Sequence, residues 1–207
     1  MPVEIPKDKW TGKVRSVTLG ATAAEGGTRA HSITVGGEMS MPFMHFETHT
    51  PNTPVIAIEI KSRKPEDWSA LLGEAWGDAM QDPAAWAKAA EVAGADLIVI
   101  ETMSDLYEIQ EAIKAAKQTC GLPVIASVTF TRDDRTLLGD DPAMVARTVN
   151  EAGADVIGVN CSGGPSQLLR ILKQMKQAVP DGMFWVKPNA GWPEQVGGRI
   201  MYPADAD

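Results

Sequence analysis

Helix-forming segments alternate with short, almost wholly apolar segments from about residue 84 onward, and this alternation restricts the fold more than any other feature. The apolar segments are ADLIVI from Ala95, PVIASVTF from Pro123, ADVIGVN from Ala154 and MFWVK from Met183, which we interpret as the last strand. Strands that are apolar on both faces lie in parallel sheets that helices cover. The alternation therefore predicts an α/β fold of repeated βα units.

The segments between these strands carry helix boundary signals. Asp82-Pro83 and Asp141-Pro142 each combine an N-cap residue with a proline suited to the first helical turn. Ser104 is the expected N-cap of the helix between them. Together with helix-ending glycines, these signals predict helices over 84–92, 104–116, 142–150 and 165–178.

Consecutive βα units can form a barrel or a doubly wound sheet. The segment AGADLI from Ala93 recurs as AGADVI from Ala152, although many helix-to-strand junctions share this pattern. No GxGxxG follows a strand, which disfavours a dinucleotide-binding sheet. We expect a (β/α) TIM-type barrel that starts with PVIAIEI from Pro54. Five strands, or six if an N-terminal strand joins them, fall short of the eight of a closed barrel, so we expect an incomplete one.

The first 53 residues follow a different pattern. Val14–Leu19 and Ser32–Val35 are two short candidate strands on either side of a glycine-rich stretch, and they predict a β-hairpin cap at one end of the barrel. We expect a single domain over 1–207, with the cap in 1–53, a first βα part in 54–98 and the remaining units in 99–207.

Composition excludes several classes of protein. With 19 basic and 27 acidic side chains the formal charge is −8, and so acidic a surface disfavours nucleic acid as a partner. No apolar run is long enough to span a bilayer, and the N-terminus lacks the apolar core of a signal peptide. Two cysteines cannot form a disulfide framework. We therefore expect a cytoplasmic protein that binds neither nucleic acid nor membrane.

The N-terminal half carries one family resemblance. The motifs are WTGKVRSVTLGAT from Trp10, EGGTRAHSITVGGE from Glu25, PFMHFE from Pro42, PNTPVIAIEI from Pro51 and WGDAMQDPAAWAK from Trp76. Residues 10–98 thereby resemble the small (delta) subunit of the corrinoid iron–sulfur protein of acetyl-CoA synthase/decarbonylase. The resemblance implies a barrel that pairs with a large corrinoid-carrying subunit.

The C-terminal half carries a second resemblance. Its motifs are IETMSDLYEIQEAIKAAK from Ile100, GADVIGVNCSGGPSQLL from Gly153 and VKPNAGWPE from Val186. Residues 95–205 resemble the homocysteine S-methyltransferase domain of cobalamin-dependent methionine synthase. That resemblance makes Cys161, at the C-terminal end of its strand, a zinc ligand that helps to ionise the homocysteine thiol. The family's other two ligands are a Cys-Cys pair that does not occur in this sequence, so we expect an incomplete zinc site.

Four further residues are candidates for substrate binding. The resemblance assigns Glu101, the acid of ETM, to the homocysteine amino group. Ser127 and Thr129 lie on one strand, and one of the two is expected to face the barrel interior; Ser127 is the candidate for the site. Asn160 and Asn189 offer amide groups to the substrate, although asparagine also serves in strand-to-loop turns. The remaining cysteine, Cys120, is expected at the opposite end of the barrel.

These observations lead to two hypotheses from different classes. The first is a methyltransferase of corrinoid-linked one-carbon metabolism and methionine biosynthesis, which transfers a methyl group to the zinc-activated thiol of homocysteine. Its corrinoid (cobalamin) would come from a partner protein or domain. The alternative is a non-catalytic scaffold for a corrinoid iron–sulfur large subunit, or an inactive fragment or chimera. An open sheet edge would also favour homo-oligomers.

Overall fold

The structure, a computed structural model, describes residues 14–39 and 50–204. The motif PFMHFE and the start of the first N-terminal motif lie outside the described residues. The strands are β1 (Val17–Leu19), β2 (Ile33–Val35), β3 (Ala57–Ile60), β4 (Leu97–Met103), β5 (Val124–Val128), β6 (Val156–Asn160), β7 (Phe184–Lys187), β8 (Glu194–Val196) and β9 (Arg199–Met201). The α-helices are α1 (Ala70–Trp76), α2 (Pro83–Val92), α3 (Leu106–Thr119), α4 (Pro142–Glu151) and α5 (Pro165–Ala178).

A five-stranded parallel sheet in the order β3-β4-β5-β6-β7 forms the centre of the molecule. Each strand lies beside the next one along the chain, and the order never reverses as it does in a doubly wound sheet. The predicted α/β class and parallel sheet are confirmed. This is the strand order of a TIM-like fold, and the described residues contribute five strands without closing a barrel.

The two faces of the sheet have different coverings. Ile98, Ile100, Val124 and Ile157 point to the face on which the helices pack, and they form the main core with buried helix residues such as Trp86. The alternate strand positions form a smaller core on the opposite face, which the β1–β2 hairpin covers. Its buried members are Leu19, Leu97, Val99, Ile125 and Val156. All helices of the main core therefore lie on one side, which is the arrangement of a barrel wall.

The N-terminal hairpin is attached to the N-terminal edge of the sheet. β1 and β2 pair antiparallel, as predicted. Arg29, in the loop between them, is buried and donates hydrogen bonds to the carbonyls of Cys120 and Leu122, each at 3.2 Å. Its Nε lies 3.9 Å from Asp155. These contacts hold the hairpin against the end of the sheet where β5 and β6 begin.

Three details of the prediction were wrong. The N-cap of α3 is Asp105 and not Ser104, because the Asp105 carboxylate accepts the backbone N–H groups of Tyr107 and Glu108. β4 continues through Met103 by way of a β-bulge. β7 is not the last strand, because β8 and β9 form an exposed hairpin around Gly197 and Gly198. Both glycines have positive φ, the conformation that a tight two-residue hairpin turn needs.

None of the helices in residues 14–39 and 50–204 combines the length and the apolar composition that a bilayer-spanning segment needs. The predicted caps of α2 and α4 are confirmed. The carboxylates of Asp82 and Asp141 accept backbone N–H groups at the starts of α2 and α4, each with proline at the first position.

Candidate functional site

Polar side chains gather at the C-terminal edge of the parallel sheet. Glu101 lies near the end of β4, Ser127 on β5, Asn160 at the end of β6 and Lys187 at the end of β7. They occupy the inward register positions, whereas their neighbours along each strand point into the helix-side core. We call Glu101, Thr102, Ser127, Asn160 and Lys187 the rim cluster. In parallel α/β folds, this is the edge where ligands bind.

Asn160 is the centre of the rim cluster. Its Oδ1 accepts hydrogen bonds from the Ser127 hydroxyl at 2.6 Å and from the Thr102 backbone N–H at 3.2 Å. Its Nδ2 donates to Glu101 Oε1 at 3.1 Å and to Thr102 Oγ1 at 2.7 Å. Asn160 and Ser127 are both fully buried, so their bonds are not exchanged with water. The network therefore fixes the position of the Glu101 carboxylate.

The β-bulge in β4 presents Glu101 at this edge. The register of β4 against β5 shifts between Ile100 and Met103, which places Glu101 and Thr102 in the bulge. Thr102 has a φ of 62°, a conformation that is costly for a β-branched residue. The hydrogen bonds of Thr102 to Asn160 offset part of that cost. β-Bulges and strained backbone conformations are often found at active sites and ligand-binding sites.

The Lys187 ammonium forms an ion pair with Glu101. It contacts Oε1, the same oxygen that Asn160 contacts, and it lies 5.4 Å from the centre of the Trp185 ring. The Glu101 side chain is 15% exposed and that of Lys187 54%, so the pair borders solvent. The sequence analysis missed Lys187 and Thr102. A lysine at the inward position of the strand end in VKPNAG is a signal that could have identified Lys187.

A pocket of about 540 Å³ opens beside Glu101. Its other wall is the loop after β3, where Lys61, Arg63 and Lys64 bring three positive charges. Lys61 pairs with Glu59 at 2.9 Å, and Ser62 donates a hydrogen bond to Glu108 of α3. The pocket is large enough for a small polar molecule, and its wall carries both carboxylates and cations.

A second network supports the loops around this edge. The Ser162 hydroxyl donates to the Asn160 carbonyl at 3.1 Å and accepts from the Phe130 N–H at 2.7 Å. Gln167 of α5 donates to the Thr131 carbonyl at 2.9 Å and accepts from the Trp192 indole at 2.8 Å. The segments after β5, β6 and β7 are thereby linked to each other.

Cys161 directly follows β6, at the strand end where the sequence places it. The residue is exposed, and its backbone has a φ of 51°. Cys120, by contrast, is buried at the end of α3, and burial raises the pKa of its thiol. Over residues 14–39 and 50–204, no three His, Cys, Asp or Glu side chains are placed to hold a metal ion. A zinc ion needs three or four donors, so the described residues do not fit the zinc site that the resemblance implies.

Asn189 is separate from the rim cluster's hydrogen bonds. Its backbone N–H donates to the Gly163 carbonyl at 3.0 Å, and its side chain forms no hydrogen bond within the described part of the chain. The structure thus joins Glu101, Ser127 and Asn160 in one network, places Cys161 next to Asn160 in the chain, and assigns Asn189 a backbone contact.

Comparison with known proteins identifies related sequences. The chain is 39% identical over 128 residues to the acetyl-CoA decarbonylase/synthase complex subunit delta of Archaeoglobus fulgidus, covering 58% of this chain and 28% of that protein. It is 32% identical over 115 residues to the methionine synthase of Mycobacterium tuberculosis, covering 53% of this chain and 10% of that protein. The chain thus spans less than a third of the length of each of these two relatives.

A solved structure and a family model also match. The crystal structure of the homocysteine methyltransferase MmuM from Escherichia coli is 18% identical, with a TM-score of 0.42, covering 66% of this chain and 59% of that one. The family model described as Homocysteine S-methyltransferase matches residues 74–207, which is more than half of the chain and contains the whole rim cluster. This protein therefore belongs to the homocysteine S-methyltransferase family.

Proposed function

We propose that the rim cluster binds homocysteine or a similar amino-acid thiol, and that it is the substrate-binding part of a methyl-transfer site. One observation carries this proposal. Glu101, Ser127 and Asn160 share a buried hydrogen-bond network at the C-terminal sheet edge, in a chain of the homocysteine S-methyltransferase family. The pocket beside Glu101 supplies space for the ligand.

Glu101 is the group that would bind the ligand's ammonium. Its Oε1 already contacts Asn160 and Lys187, whereas Oε2 forms no hydrogen bond to the described residues. A carboxylate held by a buried amide keeps its orientation without a ligand, so binding costs little reorganisation. Ser127 acts on Glu101 indirectly, by orienting the Asn160 amide.

The sulfur of the bound ligand would be the methyl acceptor. Only a thiolate attacks a methyl donor well, and a bound zinc ion supplies that ionisation in the arrangement that the resemblance implies. The described residues offer Cys161 without further ligands, so the proposal assigns them the binding of the amino acid and not the ionisation of its thiol. The donor would be a sulfonium compound or a methyl-corrinoid that a partner protein brings to the edge.

Calorimetry with L-homocysteine tests the proposal. We expect the wild-type protein to bind it, and Glu101→Gln to weaken binding about tenfold or more, because the ammonium loses a charged acceptor. Glu111→Gln is the matched control, since Glu111 is exposed on α3 and pairs with Lys114. Wild-type protein that binds no homocysteine at millimolar concentration would refute the proposal.

A methylation assay then tests the transfer step. Incubation of the protein with homocysteine and methylcobalamin, with and without added zinc, should yield methionine above the rate without protein. Mass spectrometry detects the product. Binding without methylation under every condition would leave a ligand-binding domain and remove the transferase proposal.

A second candidate function is a non-catalytic subunit that docks a corrinoid iron–sulfur large subunit. The 39% identity to a subunit of the acetyl-CoA decarbonylase/synthase complex favours it. Co-purification with such a large subunit, unchanged in Cys161→Ser and Glu101→Gln, would support this candidate. No complex at micromolar concentrations would argue against it.

A further inference from the structure

We infer that Lys187 binds the carboxylate of the amino-acid ligand, so that Lys187 and Glu101 together form a site for a zwitterion. The inference rests on the proposed function and specifies its substrate class. It makes Lys187 a specificity-determining residue, one that separates α-amino acids from simple amines.

The geometry leaves both members of the pair able to accept a ligand. An ammonium group has three N–H donors. Among the described residues, the Lys187 ammonium has an ion pair with Glu101 and no other. Its side chain is 54% exposed, so the other donors face solvent. The second oxygen of Glu101 is similarly without a partner among the described residues. A ligand can therefore bind both groups without breaking the ion pair.

An ion pair at a solvent border complements a zwitterion by simple electrostatics. A ligand lying antiparallel to the pair brings its ammonium to Glu101 and its carboxylate to Lys187, so each charge faces an opposite one. A ligand with an ammonium alone would meet attraction from Glu101 and repulsion from Lys187. The pair should consequently favour an amino acid over the corresponding amine.

The surroundings hold the Lys187 ammonium at this position. The Trp185 ring lies on the same face of β7, 5.4 Å from the ammonium, and the face of an aromatic ring attracts a cation. Asn160 holds the same Glu101 oxygen through its Nδ2, at 3.1 Å. The ammonium is thus held beside Glu101 while its remaining donors face solvent, where a ligand carboxylate can reach them.

The pocket wall offers alternative cations. Lys61 is paired with Glu59, whereas Arg63 and Lys64 form no ion pair within the described part of the chain. Either could bind a ligand carboxylate on the far side of the pocket. The experiment must therefore compare Lys187 with Arg63 directly.

The experiment measures two dissociation constants for each variant by calorimetry, one for L-homocysteine and one for 3-aminopropane-1-thiol, which lacks the carboxylate. For Lys187→Met we expect homocysteine to bind about tenfold or more weakly, and the amine to bind as well as before or better. Lys187→Arg should retain most of the homocysteine affinity. Lys114→Met, on the exposed face of α3, is the matched control and should change neither constant.

Several outcomes would overturn the inference. Equal weakening of both ligands in Lys187→Met, or of neither, would show that Lys187 does not bind the carboxylate. Selective loss of homocysteine in Arg63→Met, with Lys187→Met unaffected, would assign the carboxylate to the pocket wall. After either of these results, the proposed function would still stand as long as the wild-type protein binds homocysteine. Failure of the wild type to bind homocysteine would refute both, and thermal unfolding curves verify that each variant is folded.

Discussion

Charged side chains lie at both ends of the parallel sheet, but they form different kinds of contact there. At the N-terminal edge, Arg29 is buried and its guanidinium donates to the carbonyls of Lys117, Cys120 and Leu122, with Asp155 nearby. At the C-terminal edge, Glu101 forms an ion pair with Lys187 and also lines a pocket. The first edge is closed by its own contacts, whereas the second retains unused donors and acceptors.

The N-terminal edge of the sheet therefore contributes to stability, whereas the C-terminal edge is available for binding. A buried charge that is fully hydrogen-bonded fixes the structure and offers nothing to a ligand. The C-terminal edge adds backbone strain, with φ of 62° at Thr102 and 51° at Cys161, and that strain lowers stability. Variants at the two ends should therefore differ in which property they change.

The largest effect is expected for Arg29→Met at the closed edge. The variant leaves buried carbonyls without a donor and Asp155 without one of its cations, so the free energy of unfolding should fall by about 3 kcal/mol. Urea unfolding measures the change. Arg147→Met, at an exposed position of α4, is the control and should stay within about 0.5 kcal/mol of wild type. If Arg29→Met lowered the free energy of unfolding by less than about 0.5 kcal/mol, the contacts of Arg29 would not be what stabilises the N-terminal edge.

A smaller loss of stability is expected for Asn160→Ala at the open edge. The substitution removes the buried amide that joins Ser127, Thr102 and Glu101, at a cost of about 2 kcal/mol. Asn189→Ala is the matched control, because that side chain forms no hydrogen bond within the described ranges. Equal unfolding free energies for the two variants would show that the network contributes no stability.

The third prediction concerns strain at Cys161. Cys161→Gly should be more stable than Cys161→Ala by about 1 kcal/mol, because glycine adopts a positive φ without the clash of a Cβ atom. Thermal unfolding of the two variants provides the comparison. If alanine were as stable as glycine, the left-handed backbone at this edge would carry no strain.

The smallest effect is a pH dependence in the loop after β5. The Arg170 guanidinium beside Asp134 holds the pKa of that carboxyl below its ordinary value. The pair therefore stabilises the protein above the ordinary aspartate pKa, and this contribution is lost as the pH falls through the lowered pKa. Urea midpoints of wild type and Asp134→Asn should converge in acid. A constant difference between them down to the lowest pH would contradict this assignment.

Part of the fold and of the candidate site could be predicted from local sequence. Asp82-Pro83, Asp141-Pro142 and the apolar segments located helices and strands to within a few residues, because caps and hydrophobic patterns act over short distances. The β-bulge at Glu101 and the cap at Asp105 could not be predicted in this way. Each depends on which of several adjacent polar residues forms the better hydrogen bonds once the chain is packed.

The sequence by itself determined the α/β class, the strand order of successive βα units, the family and the position of Cys161 after a strand. The tertiary structure alone decided that Lys187 pairs with Glu101, that Arg29 is buried under the sheet, and that the loop after β3 faces Glu101 across a pocket. The physical reason is distance along the chain. The residues in each of these contacts lie far apart in the sequence, so they meet only when the strands have paired and the loops have packed around the finished sheet.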